Sequence, residues 1–289
     1  MLAEVNGTRI FYETIGSGRP VYVLHGGLGY DHSYFRPWLD PWAERFEVVF
    51  YDHRGCGRSD RPGTMADVTH ETLIDDLDAL RAHLGDESFV IAGNSYGGVL
   101  AQEYALKYPE RLDGMVLITS LPAFDYQDLL NEGARHRGTP EQVHAVENEF
   151  ARGTGSDENL KRLAGIVLPL YFHRYDPEIG RQIGERIIYS AMAWDRGFDD
   201  LLPAWSVVDQ LHEIQTPTLV VAGADDWATP MEVCSQRIHD GLPNSRMLTF
   251  EHSGHFPFIE EQDRFLTEVG DWIAALPSGF RGLGNAVAL

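Results

Sequence analysis

The sequence has little cysteine, little lysine and no long hydrophobic run. Two of its 289 residues are cysteine, Cys56 and Cys234, far apart and without the paired spacing of a zinc site. Two isolated thiols do not make the disulfide framework that staples small secreted domains. Lysine occurs only at Lys107 and Lys161, the other basic residues being arginine, a compositional bias without functional content. No uninterrupted apolar stretch approaches the roughly 18 residues that a membrane-spanning helix needs. The opening "MLAEVNGTRIFYETIG" lacks a basic segment followed by an apolar one, so no signal peptide is read there. A soluble, cytoplasmic protein is expected. Positive charge is scarce as well: 44 acidic against 23 basic residues leave a net charge of -21. That field repels nucleic acid and anionic membrane surfaces, and the expected partner is a small molecule or a short peptide.

What is present has an order. Hydrophobic residues make up 43% of the chain, enough for one large domain with a sizeable core. "TRIFYETIG" (8–16) alternates like a half-exposed strand, whereas "PVYVLHG" (20–26), "FEVVFYD" (46–52), "SFVIAG" (88–93), "DGMVLIT" (113–119) and "PTLVVAG" (217–223) read as strands buried on both faces. "SRMLTF" (245–250) reads as the last strand, and helical patterns fall at 69–84, 96–108, 230–240 and 258–275. Strands alternating with helices predict an α/β class with a mostly parallel central sheet. Residues 122–205 change character, because strand-like runs stop and helix signals take over. There "TPEQVHAVENEFARG" offers Thr139 as N-cap, Pro140 at the first helical position and Gln142 to complete a capping box. "DENLKRLAGIVLPLYFHRY" and "EIGRQIGERIIYSAMAW" also carry helical spacing, with a break expected at Pro169. The expected organisation is a core of 1–121 and 206–289 with an inserted helical cap at 122–205. The tail "PSGFRGLGNAVAL" is read as a poorly ordered terminus.

Chemistry centres on "VIAGNSYGGVLAQEYALKYPERL" (90–112). A strand ending at Gly93, then Asn94-Ser95-Tyr96-Gly97-Gly98, then a helix, is the context that the G-x-S-x-G nucleophile elbow requires. So sharp a turn strains the serine backbone, and side chains two residues before and after it would collide. A serine hydroxyl also needs an imidazole to take its proton and a carboxylate to hold that imidazole. Asp225 and Asp226 follow the strand "PTLVVAG", and His252 and His255 follow "SRMLTF". Both pairs sit just past a buried strand, where an open sheet collects its functional loops.

With these motifs in this order, the chain resembles the α/β-hydrolase superfamily across nearly its whole length. The resemblance implies a cap over the site and no metal or organic cofactor. The family's acid stands three residues after the glycine ending its strand, which from Gly223 is Asp226. Its base follows a glycine, which from Gly254 is His255. "LHGGLG" (24–29) then implies an oxyanion hole made by the N–H groups of Gly27 and Tyr96, with His25 structural. In "YDHRGCGRSDRP" (51–62), Asp52, Arg54 and Ser59 are expected to hold a loop in shape.

Within the superfamily the chain is most similar to prolyl iminopeptidases, which release an N-terminal proline. It departs from them where Leu28 replaces the proline of their usual HGGPG. They also anchor the substrate's amine with carboxylates, typically from a glutamate-phenylalanine pair. The comparable "AMAWDRGFDD" offers Gly197-Phe198, so Trp194, Asp195, Phe198 and Asp199, with Asp200 nearby, are the expected substrate-binding residues. A carboxylesterase or lactonase needs the same triad without an amine anchor, and Phe150, Tyr171, Phe172 and Trp205 with Trp194 and Phe198 could line its acyl pocket. A carbon–carbon bond hydrolase and a non-catalytic binding module on the same fold are further alternatives. A nucleotide-binding oxidoreductase is disfavoured by the lack of a G-x-G-x-x-G turn after the first strands.

Overall fold

The structure is a computed structural model and describes residues 1–149 and 153–277. Phe150 and the tail from Ser278 onward lie outside the described residues. Eight strands form one sheet, in the order β1-β2-β4-β3-β5-β6-β7-β8. They are β1 (Leu2–Val5), β2 (Thr8–Gly16), β3 (Pro20–Leu24), β4 (Glu47–Tyr51), β5 (Phe89–Asn94), β6 (Leu112–Ile118), β7 (Thr218–Gly223) and β8 (Ser245–Phe250). β1 pairs antiparallel with β2 and β2 with β4, while every pairing from β4 to β8 is parallel. Each residue of β5, β6 and β7 is buried, as continuous apolar runs require when helices cover both faces. β1 is an addition to the expected strands. Its four residues alternate exposed and buried, and Asn6 and Gly7 (φ 46° and 72°) form the two-residue turn that returns the chain into β2. Asn-Gly is the residue pair such a hairpin turn favours.

Helices α1 (His70–Leu84), α2 (Tyr96–Lys107), α8 (Ser235–Gly241), α9 (Pro257–Glu260) and α10 (Gln262–Ala275) accompany the strands. Between β6 and β7 lie α3 (Gln127–Arg137), α4 (Pro140–Asn148), α5 (Asp157–Val167), α6 (Pro177–Arg186) and α7 (Ala191–Asp195). Thr139 caps α4 through a reciprocal bond with Gln142, and α5 gives way to a tight turn at Pro169, both as the sequence predicts. The helix expected across 178–194 is instead broken at Ile187–Ser190. There the Ile188 N–H goes to Asp31, the Tyr189 carbonyl takes the Arg61 guanidinium, and the Ser190 N–H goes to Gly29, so the core satisfies groups a helix would have used. The expected 258–275 helix divides at Glu261, whose carboxylate accepts from His252 N–H and Ser253 Oγ. Both cysteines are free and buried. No helix among the described residues is long and apolar enough to cross a membrane.

β3 lies between β4 and β5. The connection from β3 runs to β4 on one side and the connection from β4 crosses to β5 on the other, so the C-terminal ends of β3 and β5 flank the crevice where ligands bind in open α/β sheets. Residues 25–29, Ser95, Thr119, Asp226 and 251–256 all follow strand ends on that rim.

Candidate active site

Ser95 joins β5 to α2 at φ 55°, ψ -119°, a conformation a side chain seldom adopts and one costing on the order of 1–3 kcal/mol. The surroundings hold it there. Its N–H donates to the Ile118 carbonyl (2.9 Å), and its own carbonyl accepts from Gly98 N–H and Ser120 Oγ (2.9 Å each). The flanking glycines are needed for space. A Cβ on Gly93 would lie 2.4 Å from the Gly97 carbonyl oxygen, and one on Gly97 would lie 2.2 Å from that of Leu24.

The loops after β7 and β8 meet by backbone, since a Cβ on Gly223 would fall 1.9 Å from the Gly254 carbonyl oxygen. This contact brings Asp226 to His255, with Oδ2 2.8 Å from Nδ1 and both side chains buried. The carboxylate also accepts from Ala228 N–H (2.8 Å), Thr229 N–H (3.2 Å) and Thr229 Oγ1 (2.5 Å). His255 is fixed by its main chain as well, donating its N–H to the Tyr171 carbonyl (2.7 Å) and accepting from Thr119 Oγ1 (2.9 Å). Asp225 instead faces the surface, paired with Arg137 and lying 3.4 Å from His173, and exposed His252 stands beside His173. Of the two acids and two histidines after these strands, the fold joins Asp226 and His255.

Ser95 and His255 line one cavity under α5, α6 and α7. Gly27 (φ 44°), Tyr34, Ile187, Trp194 and Phe256 are among its walls. A second cavity is walled by Tyr96, Leu121, Leu130, Val146 and Trp227. Ser95, Tyr171 and Phe198 line both. Tyr96 is the first residue of α2, so its N–H is one that the helix leaves without an internal partner. Its hydroxyl is bonded to His70 Nε2 (2.7 Å). Burial lowers the His70 pKa to about 4, so the ring is neutral at pH 7.

Trp194 and Phe198 stack at 4.1 Å and both reach the first cavity. Asp195 and Asp199 are not among the residues lining either cavity. The Asp195 carboxylate accepts from Thr154 N–H (2.6 Å), Thr154 Oγ1 (2.9 Å) and Gly155 N–H (3.3 Å), and so is spent on the 153–155 loop. Asp199 is exposed beside Gly153, with its carboxyl pushed up by burial and by Asp195, and Asp200 pairs with Arg196 at 2.9 Å. No aspartate or glutamate is among the described residues lining either cavity. Phe172 packs on Tyr175 and Phe256, and the Trp205 indole donates to Glu103, so neither lines these cavities. Tyr30, Tyr34, Tyr189 and Phe256, which do line the first, carry no sequence signal separating them from ordinary core aromatics.

The scaffold loop after β4 has the expected shape. Asp52 accepts from His32 Nδ1 (2.6 Å) and Arg58 N–H (2.8 Å), Ser59 Oγ donates to the Asp52 carbonyl (2.6 Å), and Arg54 binds Asp76 (2.7 Å). His25 is buried, bonded to Gly26 and His53 away from Ser95, and burial lowers its pKa. Among the described residues no group of three or more His, Cys, Asp or Glu is placed to hold a metal ion.

Residues 19–262 match the family model described as the alpha/beta hydrolase fold. The chain belongs to the α/β-hydrolase family. This α/β-hydrolase is 31% identical to a proline iminopeptidase of Saccharolobus solfataricus, over 93% of its own length and 90% of the relative's. Among solved structures it is similar to Est816, described as an N-acyl homoserine lactone degrading enzyme (27% identity, TM-score 0.71, 92% of this chain and 97% of that one). It is also similar to a thermophilic esterase from Thermogutta terrifontis (25% identity, TM-score 0.74, covering 95% and 97%). The chain is a hydrolase of this family.

Proposed function

We propose that this α/β-hydrolase cleaves a neutral ester or lactone through an acyl-enzyme on Ser95, beneath a cap formed by residues 122–205. One observation carries the choice of substrate: the two cavities that meet at Ser95 are walled mainly by apolar and aromatic side chains, and no carboxylate is among the described residues lining them. A cationic amine buried there would lack a partner, at a cost of about several kcal/mol. An uncharged acyl group and an uncharged leaving group meet no such cost. The likeness to Est816 and to the Thermogutta esterase supports the same reading.

In this mechanism Nε2 of His255 takes the hydroxyl proton as Ser95 attacks the carbonyl carbon. Asp226, on the other ring nitrogen at 2.8 Å, holds the tautomer and stabilises the imidazolium. The N–H groups of Gly27 and Tyr96 receive the oxyanion, each worth about 10²–10³ in rate. His255 then protonates the leaving alkoxide, and water repeats the sequence on the acyl-enzyme. A lactone keeps its leaving hydroxyl on the same product molecule.

Release of N-terminal proline is the second reading, favoured by the Saccharolobus relative. Wild type and Ser95→Ala assayed on p-nitrophenyl butyrate, an N-acyl homoserine lactone and proline p-nitroanilide separate the two. Ester or lactone turnover that falls by about 10⁴–10⁶ in Ser95→Ala is expected, with no anilide turnover. Anilide turnover without ester or lactone turnover would overturn the neutral-substrate reading in favour of the aminopeptidase. Silence on all three, with no fluorophosphonate labelling of Ser95, would favour a non-catalytic binding module.

A further inference from the structure

Three separate loops carry the proposed machinery: Gly26-Gly27 after β3, Ser95 after β5 and His255 after β8. A single file of hydrogen bonds joins them. Gly26 N–H donates to Tyr34 Oη (2.6 Å), and Tyr34 donates to Asn94 Oδ1 (2.7 Å). Asn94 Nδ2 donates to Thr119 Oγ1 (2.8 Å), and Thr119 donates to the His255 carbonyl (2.9 Å). Every donor direction is determined. The Ile118 carbonyl accepts from Asn94 Nδ2 (3.3 Å), which fixes the other end of the amide as oxygen, so Tyr34 donates to it. Thr119, accepting from the amide nitrogen, turns its own proton to the His255 carbonyl. Asn94 and Thr119 are almost wholly buried and Tyr34 nearly so. Donors aligned in one direction polarise one another, and in a buried setting each is costly to leave unmade.

Thr119 supplies an independent observation. It is a β-branched residue at φ 44°, a conformation that disfavours any side chain and β-branched ones most. Its N–H is tied to the Val221 carbonyl (2.8 Å), and the backbone places its hydroxyl between Asn94 and His255. Glycine would sit there with less strain but would have no hydroxyl. Strain held at such a point directs attention to function rather than to folding.

We infer that the Tyr34 and Thr119 hydroxyls are positioning groups, which lock the oxyanion loop at one end and the His255 loop at the other to the strand bearing Ser95. The inference rests on the proposed roles of Ser95, His255 and Gly27. Neither hydroxyl takes part in bond making. Each sets where the Gly27 N–H or the imidazole stands when the oxyanion forms. Their loss therefore lowers kcat and leaves KM nearly unchanged.

The test uses the full chain with Tyr34→Phe, Thr119→Ala, Thr119→Ser and the Tyr34→Phe/Thr119→Ala pair. kcat and KM are measured on p-nitrophenyl butyrate, the rate of Ser95 phosphonylation by a fluorophosphonate is followed, and circular dichroism checks folding. Tyr34→Phe and Thr119→Ala are each expected to lower kcat and phosphonylation about tenfold, part of what a whole oxyanion donor contributes, with KM within about twofold. Thr119→Ser restores kcat to within about twofold of wild type, and the double variant is about as slow as the slower single one rather than about a hundredfold down. Unchanged kcat in folded variants, a serine variant as slow as the alanine one, or a double variant at the product of the singles would each overturn the inference. Wild type that is not phosphonylated would overturn the Ser95 reading and this one with it, whereas normal phosphonylation with unaffected variants would overturn this one alone.

Discussion

Asp226→Asn is the perturbation with the most determined outcome. Four donors point at this carboxylate: Ala228 N–H and Thr229 N–H at Oδ1, and Thr229 Oγ1 and His255 Nδ1 at Oδ2. An amide must set its NH₂ against one of these pairs. Against the two main-chain N–H groups it would leave both unsatisfied, at about 1–3 kcal/mol each, because neither can turn away. Against Thr229 and His255 the hydroxyl can rotate to accept, and the imidazole can move its proton from Nδ1 to Nε2. The second arrangement wins, and the variant folds with a loss of about 1 kcal/mol. Its cost is to chemistry, because a protonated Nε2 cannot take the Ser95 proton. A fall in kcat of about 10⁴-fold on p-nitrophenyl butyrate follows, with KM little changed. Asp225→Asn is the control. That acid is an exposed partner of Arg137, so its loss costs no more than about 1 kcal/mol of stability and leaves kcat unaltered. Asp226→Asn retaining more than about a tenth of wild-type kcat, or Asp225→Asn falling as far, would refute the tautomer argument.

Two glycines make a matched pair. A Cβ on Gly97 meets the Leu24 main chain at 2.2 Å, and Gly97→Ala should lose about 3 kcal/mol or more, whereas Gly165 in α5 has nothing within 4 Å and Gly165→Ala should gain about 0.5–1 kcal/mol. Urea midpoints decide it, and a Gly97→Ala variant as stable as wild type would contradict the close approach that defines the elbow. His70 bears on pH. Its pKa of about 4 lies below the ordinary 6.5, so the unfolded chain takes up the proton first. The associated stability, on the order of 3 kcal/mol, is fully present above about pH 6.5 and is lost as pH falls toward 4. His70→Gln keeps an acceptor for Tyr96 and should flatten that part of the pH–stability curve, and a slope identical to wild type would rule the assignment out.

The buried parallel strands were legible because residues hidden on both faces leave continuous apolar runs, with breaks at their ends. Ser95, and one acid and one histidine after later strands, were legible for the same reason: each follows such a run directly. β1 escaped notice because four alternating residues are too short a pattern, although its Asn-Gly turn was visible. Spacing carried a helix through Ile187–Ser190 because periodicity cannot register Asp31, Arg61 and Gly29 waiting for its main-chain groups. Asp195 and Asp199 are expected at the substrate from their place in the sequence, which does not say that Thr154 and Gly155 hold the Asp195 carboxylate. Nor could it separate Tyr34, with a hydroxyl bridging Gly26 and Asn94, from any tyrosine of the core.

The seam between residues 171–174 and the His255 loop bears on how molecules enter and leave. Across it the His255 N–H goes to the Tyr171 carbonyl (2.7 Å), and the Glu260 carboxylate receives the N–H groups of His173 (3.2 Å) and Arg174 (2.9 Å). Residues 171–174 are thus held to the loop that carries the histidine, and displacing them would loosen the imidazole. On another side, Phe124, Tyr126 and Gln127 wall both the second cavity and a surface groove whose charged lining is Asp125, Asp128, Glu232 and Asp240 with Arg237. With four carboxylates against one guanidinium, that groove admits a neutral molecule more readily than an anion.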